Sequence, residues 1–124
     1  MMRGVLAFAL LVVAAPVAKA DLTYIGGVYD VAGVSPDGSP YVGEVVIDYV
    51  SDTTCDITWM IEGVAVSFGI CMRVGTTFAA SYSSGDAVGL AIYEVLPDGN
   101  LDGVWTVAGQ DGAGSEFLTS LHFP

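Results

Sequence analysis

From Leu22 onward the chain repeats with a period of two, and this constrains its fold more than any other feature. Short runs rich in Val, Ile, Thr and aromatic residues alternate with polar or small ones, and no segment shows the period of an amphipathic helix. Eight runs can be read, at roughly 23–33, 41–50, 54–62, 64–72, 76–83, 87–96, 100–109 and 113–122. The links between them are short. Pro36-Asp37-Gly38 and Pro97-Asp98-Gly99 place Pro where a type I turn accepts it and Gly where positive φ is needed. Glu62-Gly63 and Ser84-Gly85-Asp86 suit tight hairpins.

The alternation also assigns faces. Tyr41, Gly43, Val45, Ile47 and Tyr49 share one face of the second run, with Glu44 and Asp48 on the other. Cys55, Ile57, Trp59 and Ile61 oppose Asp56, Thr58 and Glu62, and Leu101, Gly103, Trp105 and Val107 line up together. One face buried and one wet is the signature of an antiparallel sheet. The segment Gly27-Val-Tyr-Asp-Val-Ala-Gly33 is echoed by Gly103-Val-Trp-Thr-Val-Ala-Gly109, and Gly43-Glu-Val-Val-Ile47 is a weaker form. Strand glycines mark bends or close backbone approach, and repeated Gly-x-aromatic units suit strands that coil. The expected fold is an all-β, eight-stranded antiparallel up-and-down barrel, which leaves no sheet edge exposed; a two-sheet β-sandwich is the alternative.

Ahead of the strands stand Met1-Met2-Arg3, an apolar run from Gly4 to Val17, and Ala18-Lys19-Ala20. That is the layout of a secretory signal peptide with an A-x-A cleavage site. The run is about fourteen residues and contains Pro16, shorter than the roughly twenty a spanning helix needs. Residues 1–20 are therefore expected to be removed, leaving one domain at 21–124 in the periplasm or outside the cell. Cleavage also takes Arg3 and Lys19, so Arg73 alone faces all 14 Asp and Glu. Such a chain lacks the clustered cations that bind nucleic acid, and an anionic membrane surface is disfavoured for the same reason. Abundant Val, Ile, Leu and aromatic residues set it apart from disordered acidic segments. The plain reading of the acidity is solubility and self-repulsion that keep the domain monomeric; the sharper ones are a saline habitat, a cationic partner or divalent cations.

Cys55 and Cys71 are the two cysteines, and an even count in an exported chain points to a disulfide. No CxxC spacing or neighbouring base favours a reactive thiol. If the third and fourth runs form a hairpin about Gly63, the two cysteines lie nearly opposite. Cys71 then shares its face with Ala65, Ser67 and Gly69 rather than with Val64, Val66, Phe68 and Ile70. Either the small residues face inward beneath Trp59 or a bulge shifts the register. Phe117, Leu121 and Phe123 alternate as in outer-membrane barrels, but Asp30, Glu44, Asp48 and Asp56 interrupt the outward faces; membrane insertion is not expected.

The chain resembles a set of small exported proteins of Gram-negative bacteria often labelled fibronectin-binding. The shared positions are Gly27-x-Tyr29-x-Val31-x-Gly33, then Pro36-Asp37-Gly38-Ser39-x-Tyr41-x-Gly43-x-Val45-x-Ile47 and Trp59-x-Ile61. They continue through Gly69-Ile70, Tyr82, Gly89, Tyr93, Gly99-x-Leu101-x-Gly103-x-Trp105 and Gly114-x-Glu116. These are turn and core positions, so the resemblance implies a fold and supplies no catalytic set. In outline the chain is also similar to lipocalin-like and avidin-like barrels. Gly27-x-Tyr29 stands where lipocalins carry Gly-x-Trp, and the last-strand Arg that packs on that Trp has no counterpart. The likeness implies architecture and no particular ligand.

Candidate chemistry is sparse. Asp98-Gly-Asn100-Leu-Asp102-Gly103 matches the first half of an EF-hand loop, but position twelve is Gly109 and strand follows, so a hairpin turn is the simpler reading. His122, the one histidine, finds no Gly-x-Ser-x-Gly elbow, and zinc would need more ligands. No cofactor is expected. Glu116 alternates with Gly114 and Leu118 and so points inward, where a carboxylate must be paired or hydrogen-bonded. Arg73 is the cation expected to reach it, and Tyr29 or Tyr82 the donors. Two readings follow, with a structural domain serving another exported protein as a third. One is a non-enzymatic binding module whose ligand site draws on Trp59, Trp105, Tyr29, Tyr82 and Glu116, its partner a small molecule or a protein. The other is an exported hydrolase using a carboxylate pair such as Glu62 and Glu116, which would have to lie about 5–10 Å apart in one cleft.

Overall fold

A computed structural model describes residues 24–121, which form eight strands and no helix. The strands are β1 Gly27–Val34, β2 Pro40–Tyr49, β3 Cys55–Ile61, β4 Val64–Val74, β5 Thr77–Ser84, β6 Ala87–Val95, β7 Leu101–Val107 and β8 Gly114–Ser120. Each pairs antiparallel with the next, and β1 also pairs with β8. The sheet therefore closes as an up-and-down barrel rather than a sandwich. The proposed leader at 1–20 and His122 lie outside the described residues.

The turns form as their residues require. In the β1–β2 loop the Gly38 N–H donates to the Ser35 carbonyl at 2.8 Å, and in the β6–β7 loop the Gly99 N–H donates to Leu96 at 2.9 Å. Asp37 Oδ1 accepts from the Ser39 N–H and hydroxyl, which lowers its carboxyl pKa. At Glu62-Gly63 both residues have positive φ, 50° and 81°, the backbone of a type I′ hairpin.

Inward faces fill the end of the barrel where β1 begins and β8 ends. Tyr29, Ile47, Ile57, Phe78, Leu101 and Leu118 are fully buried there, and Ile25, just before β1, closes that end. The Tyr29 hydroxyl donates to the Ile25 carbonyl at 2.6 Å and so ties the plug to the wall. Cys55 and Cys71 pair directly across β3 and β4, Cα atoms 4.9 Å apart, and form the disulfide. Both resolutions of the β4 register occur. Gly69 and Ser67 face inward opposite Ile57 and Trp59, and a bulge then follows between Trp59 and Met60. Small residues win the inner face of β4 because the barrel is tight there: a Cβ on Gly69 would strike the Ser81 carbonyl of β5.

The outer face carries three carboxylate pairs in direct cross-strand register: Asp30 with Glu44, Asp48 with Asp56, and Glu94 with Asp102. Like charges placed this way repel across a gap of about 5 Å. Thermal unfolding should therefore shift upward as salt is added. The substitution Asp56→Lys should raise the melting temperature by about 2–4 °C at low salt. That gain should vanish near 1 M salt, where the screening length falls to about 3 Å. Calorimetry of both proteins across a salt series checks this.

Candidate functional site

At the opposite end of the barrel, where β1 ends and β8 begins, the interior is not filled. A cavity of about 280 Å³ opens there, bounded by Tyr41, Trp59, Tyr82, Tyr93, Trp105 and Glu116, with Ile61 and Val66 at its rim. Its construction follows from the strand register. One row across five strands reads Tyr41 (β2), Gly33 (β1), Glu116 (β8), Gly103 (β7) and Tyr93 (β6). Each glycine leaves bare backbone beside Glu116, and the neighbouring tyrosine lies across it: Tyr41 over Gly33, Tyr93 over Gly103. Any side chain at either glycine would collide with that ring. The same device seats the other rings, Tyr82 over Gly89 and Trp105 over Gly114. Aromatic cover of a strand glycine both packs the gap and aims the ring.

The result is a carboxylate held by three neutral donors. Glu116, only 5% exposed, accepts at Oε1 from the Tyr41 hydroxyl (2.7 Å). At Oε2 it accepts from the Tyr93 hydroxyl (2.5 Å) and the Trp59 indole N–H (3.1 Å). Above this floor stand Trp59, Tyr82, Trp105 and Tyr41 in edge-to-face contact. Ring centroids are 5.4 Å apart for Trp59–Tyr82, 6.2 Å for Tyr41–Trp105 and 6.4 Å for Tyr82–Trp105. The Tyr82 hydroxyl donates to the Thr106 carbonyl at 3.0 Å. The Trp105 indole nitrogen is buried beside the Tyr41 hydroxyl, whose pKa it acts to lower.

Burial first, and then the Glu116 charge with its hydrogen bond, drive the hydroxyl pKa of Tyr41 and of Tyr93 well up. Burial and the Glu116 charge push Tyr82 up to about 12. Burial also raises Tyr29, with Tyr49 adding and Arg73 opposing. Unfolded tyrosines ionise near pH 10, so this contribution to stability is complete below pH 10 and is lost as pH rises through the higher folded values. The protein should thus hold full stability to about pH 10 and then unfold cooperatively. Circular dichroism and the tyrosinate absorbance of the buried rings should change together in an alkaline titration; ionisation of Tyr29, Tyr41 and Tyr93 in a barrel that is still folded would contradict this.

Several expected site residues meet here and others do not. Trp59, Trp105, Tyr82 and Glu116 line one cavity. Tyr29 does not: it lies at the plugged end, bonded to Ile25, because the row that reaches Glu116 starts from Tyr41 rather than from β1's own tyrosine. Tyr82 lines the cavity but its hydroxyl bonds Thr106 rather than Glu116. Arg73 is also at the far end, its Nε donating to the Gly75 carbonyl at 2.6 Å and its charge acting on Tyr29 and Tyr49. The two donors missed from sequence, Tyr41 and Tyr93, carried a readable signal, since Tyr41 shares a face with the core residues Val45 and Ile47. Glu62 borders an outer groove with Asp30 and Glu44, so it and Glu116 line different cavities. The Asp98-Asn100 segment is occupied as a turn. Asp98 Oδ1 accepts from the Asn100 N–H, and the Asn100 side-chain oxygen accepts from the Ser120 N–H. Among the described residues, Asp102 included, no three Asp, Glu, His or Cys side chains gather to hold a metal ion.

No protein-family model matches the chain, nor does any curated protein sequence. Solved structures do. A redesigned β-barrel superposes with a TM-score of 0.66 at 16% identity, covering 85% of this chain and 95% of that one. A second redesigned barrel, mFAP1 bound to DFHBI, gives 0.65 at 17% identity over 83% of this chain and 97% of that one. A de novo designed fluorescence-activating β-barrel gives 0.60 at 21% identity, covering 78% and 94%. At these identities the likeness is one of fold.

Proposed function

We propose that this chain is an exported, non-enzymatic binding protein that takes a small molecule into the mouth of its barrel. The observation that carries the reading is the cavity itself, an apolar-walled space with one oriented polar group on its floor. Ligand sites commonly have this make-up, and the mouths of β-barrels are a common place for them. That a barrel of the same fold is recorded with DFHBI bound is consistent with it. Export rests on the leader-like residues 1–20 and on the disulfide, a bond that persists in oxidising compartments such as the periplasm or the cell exterior.

A second reading has its own support. The adjoining outer faces of β4 and β6 expose Phe68, Ile70, Leu90 and Ile92 at 55–61%, around the small residues of β5. Exposed apolar surface of this kind marks protein contacts, and the fibronectin-binding label of the proteins it resembles would belong to this face. Native mass spectrometry of the protein purified from its own host separates the two. A small molecule retained at unit stoichiometry supports the mouth; a bound protein displaced by Phe68→Glu supports the outer face. Repeated recovery of the empty protein counts against the first.

A further inference from the structure

Taking the mouth as a ligand site, we propose that its ligand is a small organic cation, an ammonium group on an apolar body. The inference therefore rests on the function proposed above and narrows it to one charge class. The first ground is an imbalance of charge. Glu116 is buried, and each of its three hydrogen bonds comes from a neutral group, Tyr41, Trp59 or Tyr93. Neutral donors orient a carboxylate but do not cancel its charge. Among the described residues the one Lys or Arg is Arg73, and it is engaged at the opposite end of the barrel. With a net charge of −11 the chain attracts cations toward such a site and repels anions.

The second ground is the shape of the wall. Trp59, Tyr82, Trp105 and Tyr41 surround the space above Glu116, and aromatic ring faces attract a cation through their quadrupoles. A carboxylate offers about four acceptor positions. Three are taken, and Oε1 holds one bond against two at Oε2, so an ammonium N–H has an acceptor to meet. A neutral ligand of the same shape would fill the cage and leave the charge uncompensated. An anion would meet Glu116 directly.

Three probes of one size and different charge test this: phenethylammonium, phenethyl alcohol and phenylacetate, titrated into the purified protein with Trp59 and Trp105 fluorescence and calorimetry as readouts. The expected order is phenethylammonium at least tenfold tighter than the alcohol, with phenylacetate weakest. In Glu116→Gln the cation's advantage should collapse while the alcohol still binds. Should that variant fail to fold, the ranking on the unaltered protein decides alone. Equal affinity for the cation and the alcohol overturns the charge assignment and leaves the mouth as a binding site. No response to any of the three overturns both.

Discussion

Removing the Cys55–Cys71 bond, by reduction or by replacing both residues with alanine, is expected to lower the unfolding free energy by about 3 kcal/mol. The bridge spans a sequence separation of 16, and the figure is the chain entropy that the unfolded state regains when that loop is released. For a domain near 100 residues this corresponds to a fall in melting temperature of about 12–24 °C. The effect should be global and not local to the cavity. The bond lies at the plugged end, beside Tyr49 and Ile57, whereas the cavity opens at the other. Differential scanning calorimetry of oxidised and reduced protein measures the loss. Ligand binding well below the lowered transition should be unchanged; altered affinity in the folded, reduced protein would mean that the two ends of the barrel are coupled.

The substitution Gly103→Val is expected to cost about 3 kcal/mol, near the upper end of overpacking effects. A Cβ at position 103 would fall on the Tyr93 ring and 2.7 Å from the Ile92 carbonyl, and the second contact is with backbone that cannot rotate away. Tyr93 must then leave its place, which breaks its bond to Glu116 and its packing on Phe78, ring centroids 5.8 Å apart. Val104→Thr, one residue away on the exposed outer face, is the control and should stay within about 0.5 kcal/mol of the parent. Chemical denaturation gives the difference. A Gly103→Val protein as stable as its parent would show that the glycine row does not position the tyrosines.

Much of the barrel is legible in the sequence alone. Alternation placed Tyr41, Val45 and Ile47 on one face and Leu101, Gly103 and Trp105 on another, and all of them point inward. Inward direction depends only on parity, which a strand carries in its own sequence. The disulfide was legible for a related reason, since a hairpin about Gly63 sets residues 55 and 71 opposite one another. At the bulge after Trp59 the sequence leaves two options open. Bulge and small inner face satisfy the same constraint locally, and it took the neighbouring strand, with Ser81 against Gly69, to require the small face.

The site was less legible. Glu116 was recognisable as inward, but Arg73 and Tyr29 were expected beside it and lie at the other end. Position along the barrel axis depends on the stagger that accumulates from strand to strand, and no single strand encodes that sum. Tyr41 and Glu116 are 75 residues apart and meet because closure of β1 on β8 makes them two strands distant through Gly33. The sequence by itself thus determined the number of strands, their turns, their inner and outer faces and the cystine, all of which are local properties of parity and turn chemistry. Tertiary structure alone decided which aromatic residues surround the carboxylate, because register and closure are properties of the whole sheet.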